Sequence, residues 1–206
     1  MDWLLIIVLL PLLASVAVGF VPGSQRRAIR GITIGASGLS LLCALIAFLS
    51  FDVGDGELKF ETKVLWVKSL GLHFHLGADG INIGIILMGA IVAFAAACCA
   101  DDITHRVKEF HILLNLMIGG ILGAFASMDL FFFYFFHELA LVPTFIMIGV
   151  WGRGANRNYA TYKITLYLSL GALLALIGLI GVYVQPGMES FSIPDLIDKV
   201  RKKPID

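Results

Sequence analysis

Charge is what this sequence has least of. Asp, Glu, Lys and Arg make up 15% of its 206 residues, where an ordinary soluble domain carries roughly 25%. Fifteen basic residues balance fifteen acidic ones, and no long run of one sign occurs. A basic patch for nucleic acid or a one-signed surface for an oppositely charged partner is therefore excluded. Cysteine is scarce as well. Cys43, Cys98 and Cys99 all fall in apolar stretches, and none has the two-residue separation of a metal knuckle or redox pair. The adjacent Cys98 and Cys99 point about 100° apart on a helix, so they read as small packing residues. No Gly-x-Gly-x-x-Gly follows a strand, no Gly-Lys-Ser/Thr occurs, and no cysteine cluster is available to ligate iron and sulfur. The chain is thus expected to bind no cofactor, and no metal, of its own.

What is present is apolar sequence: 59% of the residues are hydrophobic and the mean hydropathy is +0.92. A bilayer core of about 30 Å takes roughly 20 helical residues. Six stretches of that kind run over residues 3–21, 29–51, 81–100, 110–128, 130–151 and 159–184. The fold expected is an all-α integral membrane domain over 1–184. The first stretch follows Asp2 rather than a basic region and exceeds a signal-peptide core in length. It reads as a retained helix, although Ala14, Ser15 and Ala17 mimic a cleavage site.

The basic residues fall unevenly between the helices. Arg26, Arg27, Arg30, Arg106, Lys108, Arg153, Arg157 and Lys163 fall to one side, and Lys59, Lys63 and Lys68 to the other. The positive-inside rule then puts the N-terminus outside, so that a label at Ser69 should enter from outside. The basic residues Lys199, Arg201, Lys202 and Lys203 of the tail argue the other way, but lie far from the last helix and near Asp195 and Asp198.

The loop 52–79 has a different rhythm, with Leu58, Phe60, Leu72, Phe74 and Leu76 alternating with Lys59, Glu61, His73 and His75. That period predicts a small outer β-hairpin with one apolar face. His73 and His75 would share a face, as a solvated pair or, with a third ligand, as a metal site. Small residues four apart, Gly31 and Gly35, Gly80 and Gly84, Gly119 and Gly123, predict close helix packing. The remainder, 185–206, is an interfacial or soluble tail in which Ile193, Leu196, Ile197 and Val200 line one side of a short helix.

One segment carries chemistry: MDLFFFYFFHELALVPTFIMIGVWG, residues 128–152. Glu138 stands about nine residues into an otherwise apolar helix, where a carboxylate costs on the order of 3 kcal/mol to insert. It needs a partner, water or a proton. It is either a proton relay poised between desolvation and a neighbouring cation or a neutral interhelical hydrogen-bonding group. Pro143 cannot donate to the Leu139 carbonyl, which either loosens the turn for water or bends the helix for packing. His137 titrates in the right range but points about 100° away, as a relay member or a core histidine. Lys163, by position, is a flanking charge that snorkels to water.

FFFYFFHELALVPTFIMIGVWG resembles the glutamate-proline segment of the fifth helix in the antiporter-like membrane subunits of respiratory complex I, the chain M or subunit 4 type. LGADGIN, EFHILLNLMIGGILGAFASMD and ATYKITLYLSLGALLALIG are similar in order and spacing, so the resemblance covers nearly all of 72–184. It implies the first part of a fourteen-helix fold of two inverted repeats. It implies that Glu138 is the essential proton-carrying glutamate, Pro143 the helix-distorting proline and Lys163 the lysine early in the sixth helix. His137 stands where the family has Trp or Phe. The resemblance further implies a non-redox, proton-translocating subunit of an NADH-quinone oxidoreductase in a bacterial inner membrane. Its partners would be other membrane-arm subunits, including a chain that supplies the later helices, with NADH, flavin, iron-sulfur centres and quinone held in partner subunits. The competing expectations are a subunit of a multisubunit cation/proton antiporter or membrane-bound hydrogenase, and a structural fragment that does not conduct.

Overall fold

The computed structural model describes residues 2–52, 58–68, 71–154, 156–184 and 191–202. Ser69, Lys203 and much of the expected tail lie outside these residues. Six helices long and apolar enough to span a membrane follow one another: α1 (Trp3–Phe20), α2 (Arg26–Leu49), α3 (Asn82–Cys99), α4 (Val107–Ala126), α5 (Leu130–Trp151) and α6 (Arg157–Tyr183). Strands β1 (Lys59–Val67) and β2 (Leu72–Ala78) form an antiparallel pair between α2 and α3, and a short helix α7 (Ile193–Lys202) follows α6. The sixfold helical pattern and the hairpin thus stand as the apolar runs and the strand period require. Three starts move earlier: α2 begins at Arg26, α4 at Val107 and α6 at Arg157. Polar residues join a helix whose end reaches water, because propensity rather than hydropathy decides there.

α4 is the centre of the bundle, packed against α1, α2, α3 and α5, and α6 packs mainly on α5. Small residues explain the closest crossings. A Cβ at Gly119 would meet the Leu12 side chain of α1, and one at Gly123 would meet the Phe136 ring. A Cβ at Gly120 would stand 2.7 Å from Ala140 N and 2.8 Å from the Phe136 carbonyl, so α4 and α5 touch backbone to backbone. The other pairs make no such crossing. Gly31, Gly35, Gly80 and Gly84 have no such neighbour within 4 Å, because four-residue spacing marks a face without saying what covers it. Cys98 and Cys99 are likewise exposed and only Cys43 is buried, which corrects their reading as packing residues.

The hairpin also departs from simple alternation. Leu72, His75, Leu76 and Ala78 are all buried. β2 has β1 along one edge, while Leu76 bridges to Ser127 and the Met128 N–H donates to the His75 carbonyl at 2.8 Å. A strand covered by the α4–α5 connection loses its solvated face. His75 is therefore 1% exposed, against the expectation of a solvated pair, and its Nε2 lies 2.8 Å from Glu61 Oε1. His73 is half-buried, with Nδ1 3.0 Å from the Gly71 carbonyl. Among the described residues, no three of the His, Cys, Asp and Glu side chains come together as a metal site.

α7 is tied to this same end of the bundle. Leu130 N–H donates to the Phe191 carbonyl and Ile193 N–H to the Met128 carbonyl, each at 2.9 Å. Phe191 stacks on Tyr183 with ring centres 4.1 Å apart. The start of α7, the hairpin and the start of α5 thus share one face of the protein, opposite the loops that carry Arg26, Arg106 and Arg153.

Candidate functional site around Glu138

α5 starts where it does because Asp129 caps it. The carboxylate accepts from Phe131 N–H at 2.9 Å and from Phe132 N–H at 3.3 Å, satisfying donors that a helix start leaves open. It also accepts from the His73 N–H at 3.4 Å, and the residue is fully buried. Burial pushes this carboxyl above the usual range, against the three N–H groups that favour its charge.

From that cap, Glu138 is nine residues into a helix of 22. At about 1.5 Å per residue it stands roughly 12 Å from one end and 20 Å from the other, near the middle of the span. Its flanking residues Phe136 and Ala140 are the ones pressed onto Gly123 and Gly120 of α4. The carboxylate is half-buried; its Oε1 is enclosed and finds no hydrogen-bond partner among the described residues. Tyr134, one turn earlier, brings its phenol into hydrogen-bonding and electrostatic reach of the carboxylate.

Pro143 is buried within an unbroken α5. One position on, the Thr144 hydroxyl donates to the Ala140 carbonyl at 2.9 Å and lies 3.4 Å from Met117 Sδ of α4. The turn that Pro143 weakens is thus held by a side chain and tied across the α4–α5 contact, two residues from Glu138. Neither Tyr134 nor Thr144 was singled out from the sequence. The signals were there: a phenol four residues before a buried carboxylate, and a hydroxyl next to a helix proline.

His137 and Lys163 are not brought to this place. His137 is exposed, its ring 6.5 Å from those of Phe133 and Tyr134. Lys163 is on an exposed face of α6, its Nζ 5.8 Å from the Tyr159 ring centre. Gly149 of α5 packs on Thr161 of α6. Counting from that contact along the antiparallel helices puts Lys163 about 13 Å from the level of Glu138. Ala172, the one buried residue of α6, is at that level instead.

Comparison with known proteins gives these observations a family. Residues 127–203 match the family described as NADH:quinone oxidoreductase/Mrp antiporter, transmembrane. NAD(P)H-quinone oxidoreductase chain 4 of Gloeobacter violaceus is 31% identical over 199 residues, which are 96% of this chain and 37% of that one. The fold matches a chain of respiratory complex I from Thermus thermophilus, with TM-score 0.79 and 28% identity, over 96% of this chain and 39% of that one. It also matches a chain of the archaeal membrane-bound sulfane sulfur reductase with TM-score 0.78, over 96% of this chain and 30% of that one; at 21% identity this concerns fold alone. The chain spans about two fifths of the length of the curated relatives it matches. Six helices long and apolar enough to span a membrane, a small hairpin and these relatives make the chain similar to part of the antiporter-like membrane subunits of complex I and their kin, chain 4 among them.

Proposed function

We propose that this chain is a non-redox membrane subunit of an NADH-quinone oxidoreductase-type assembly, in which Glu138 takes up and releases a proton while electron transfer runs in partner subunits. One observation carries the reading. A carboxylate stands near the middle of a span with one oxygen enclosed and unpartnered, in a chain whose relatives are membrane subunits of such an oxidoreductase. A carboxylate at that depth is costly as a permanent charge and calls for a donor, water or a proton.

The chain's own residues supply the supporting steps. Tyr134 offers a donor to the ionised form. Gly120 and Gly123 hold α5 against α4 at the Glu138 turn. Pro143 frees the Leu139 carbonyl one residue on, a polar group for which water is a natural partner. Lys163, a proton-transfer candidate by resemblance, acts on this reading at a distance, through charge or a water path, rather than by contact. Flavin, iron-sulfur centres, NADH and quinone belong on this proposal to partner subunits. The basic loops face the cytoplasm of a bacterial inner membrane.

A second reading, a subunit of a cation/proton antiporter, is favoured by the family description itself. Both use the same carboxylate and differ in what drives it. The test is proton uptake by the assembled complex in proteoliposomes, driven by NADH, with Glu138→Gln against the native chain. Loss of most uptake with normal complex abundance is expected. Normal uptake in a fully assembled Glu138→Gln complex would overturn the mechanism, and uptake driven by a sodium gradient but not by NADH would favour the antiporter.

A further inference from the structure

A second buried polar group lies between α1, α2 and α4, on the side of the basic loops and away from Glu138. His111 and Asn115 are both 0% exposed. Four residues apart on α4, they share one face. Asn115 Nδ2 donates to Thr33 Oγ1 of α2 at 3.0 Å, and Thr33 donates onward to the Ile29 carbonyl. Ser15 of α1 donates to the Ile112 carbonyl at 3.2 Å, closing the third side. Yet both ring nitrogens of His111 and Asn115 Oδ1 have no protein partner among the described residues.

Three orphaned polar atoms in one place are costly. Each carries a desolvation penalty of about 1–3 kcal/mol unless something satisfies it. A neutral imidazole needs one donor and one acceptor and an amide oxygen needs a donor, a set that bridging water meets and apolar packing does not. The site also has an approach. His111 is four residues from the start of α4 at Val107, roughly 6 Å along the axis. Arg30 of α2 lies near enough for its charge to act on the ring and is ion-paired with Asp101, an exposed residue of the loop before α4. Those are the charged groups that face it: α1 has no titratable residue, and the α4–α5 pairing puts Glu138 about 16 Å further along.

We propose that α1, α2 and α4 enclose a hydrated site in which water bridges His111 to Asn115 and exchanges with the basic-loop side past Arg30 and Asp101. It is a hydrated entry point into the bundle, independent of the role given to Glu138. X-ray hydroxyl-radical footprinting of the intact chain in bilayers, in ¹⁸O-labelled water, tests it. Leu114 and Ile118, each 2% exposed and on the same helix, are the internal controls. With each residue normalised to its rate in the unfolded chain, His111 should be oxidised severalfold faster than either control. The adduct should carry ¹⁸O, and Asn115→Leu should bring His111 down to their level while the fold persists. Oxidation of His111 no faster than Leu114 and Ile118, or a rate unchanged by Asn115→Leu, would overturn the proposal.

Discussion

Gly120 and Ala140 meet backbone to backbone, so closely that a Cβ on the glycine would stand 2.7 Å from the Ala140 nitrogen. Because Ala140 is two residues beyond Glu138, this contact fixes how deep and at what rotation the carboxylate is presented. Overpacking of this kind costs typically 1–3 kcal/mol. Gly120→Leu should therefore lower the thermal stability of the chain and reduce the abundance of any complex containing it. Gly31→Leu, whose neighbourhood is open, should leave both unchanged. Equal losses at the two positions would show that the Gly120–Ala140 contact is not what is being measured, since leucine is the better helix former at both.

Asp129 ties α5 and the hairpin together. Asp129→Ala removes acceptors for Phe131, Phe132 and His73, and loss of such a cap costs about 1 kcal/mol. Asp129→Asn should restore most of it, since an amide oxygen also caps. Hydrogen exchange of the Phe131, Phe132 and His73 amides is the measurement; protection unchanged in the alanine variant would contradict the cap.

His75 gives the outer end a pH dependence. Burial pulls its pKa below the ordinary 6.5, against the Glu61 carboxylate, which acts to raise it. The folded pKa is depressed, so the stability it contributes is present above about 6.5. That stability is lost as pH falls through the folded value. The hairpin should loosen on acidification, read as faster exchange of the Met128 amide, which donates to the His75 carbonyl. His75→Leu should flatten the profile. A hairpin that tightens on acidification would mean that the Glu61 pairing outweighs burial.

The orientation is open to a direct experiment. With Cys98 and Cys99 replaced by Ser, cysteine placed at exposed Ser24 should react with an impermeant reagent only from the cytoplasmic side, and at exposed Lys63 only from outside. The reverse pattern would invert the topology.

Six spans, the hairpin and the depth of Glu138 in its helix were legible because hydropathy, period and the position of a charge within an apolar run are properties of short sequence windows. His75 shows where that ends: strand period put it on a solvated face, and only the α4–α5 connection laid along β2 buried it. Gly31 and Gly35 have the same spacing as Gly119 and Gly123, but α4 is enclosed by four helices and the α2 pair faces outward. His137 and Lys163 were candidates by chemistry and by resemblance, and their distance from Glu138 follows from helix rotation and axial offset. Sequence by itself determined which segments enter the bilayer and which residue there is costly, since insertion free energy is a sum over neighbouring side chains. Which polar groups meet, Asn115 with Thr33, Tyr134 with Glu138, Asp129 with His73, was decided by tertiary structure, because those pairings depend on how helices rotate and slide when small residues let their backbones touch.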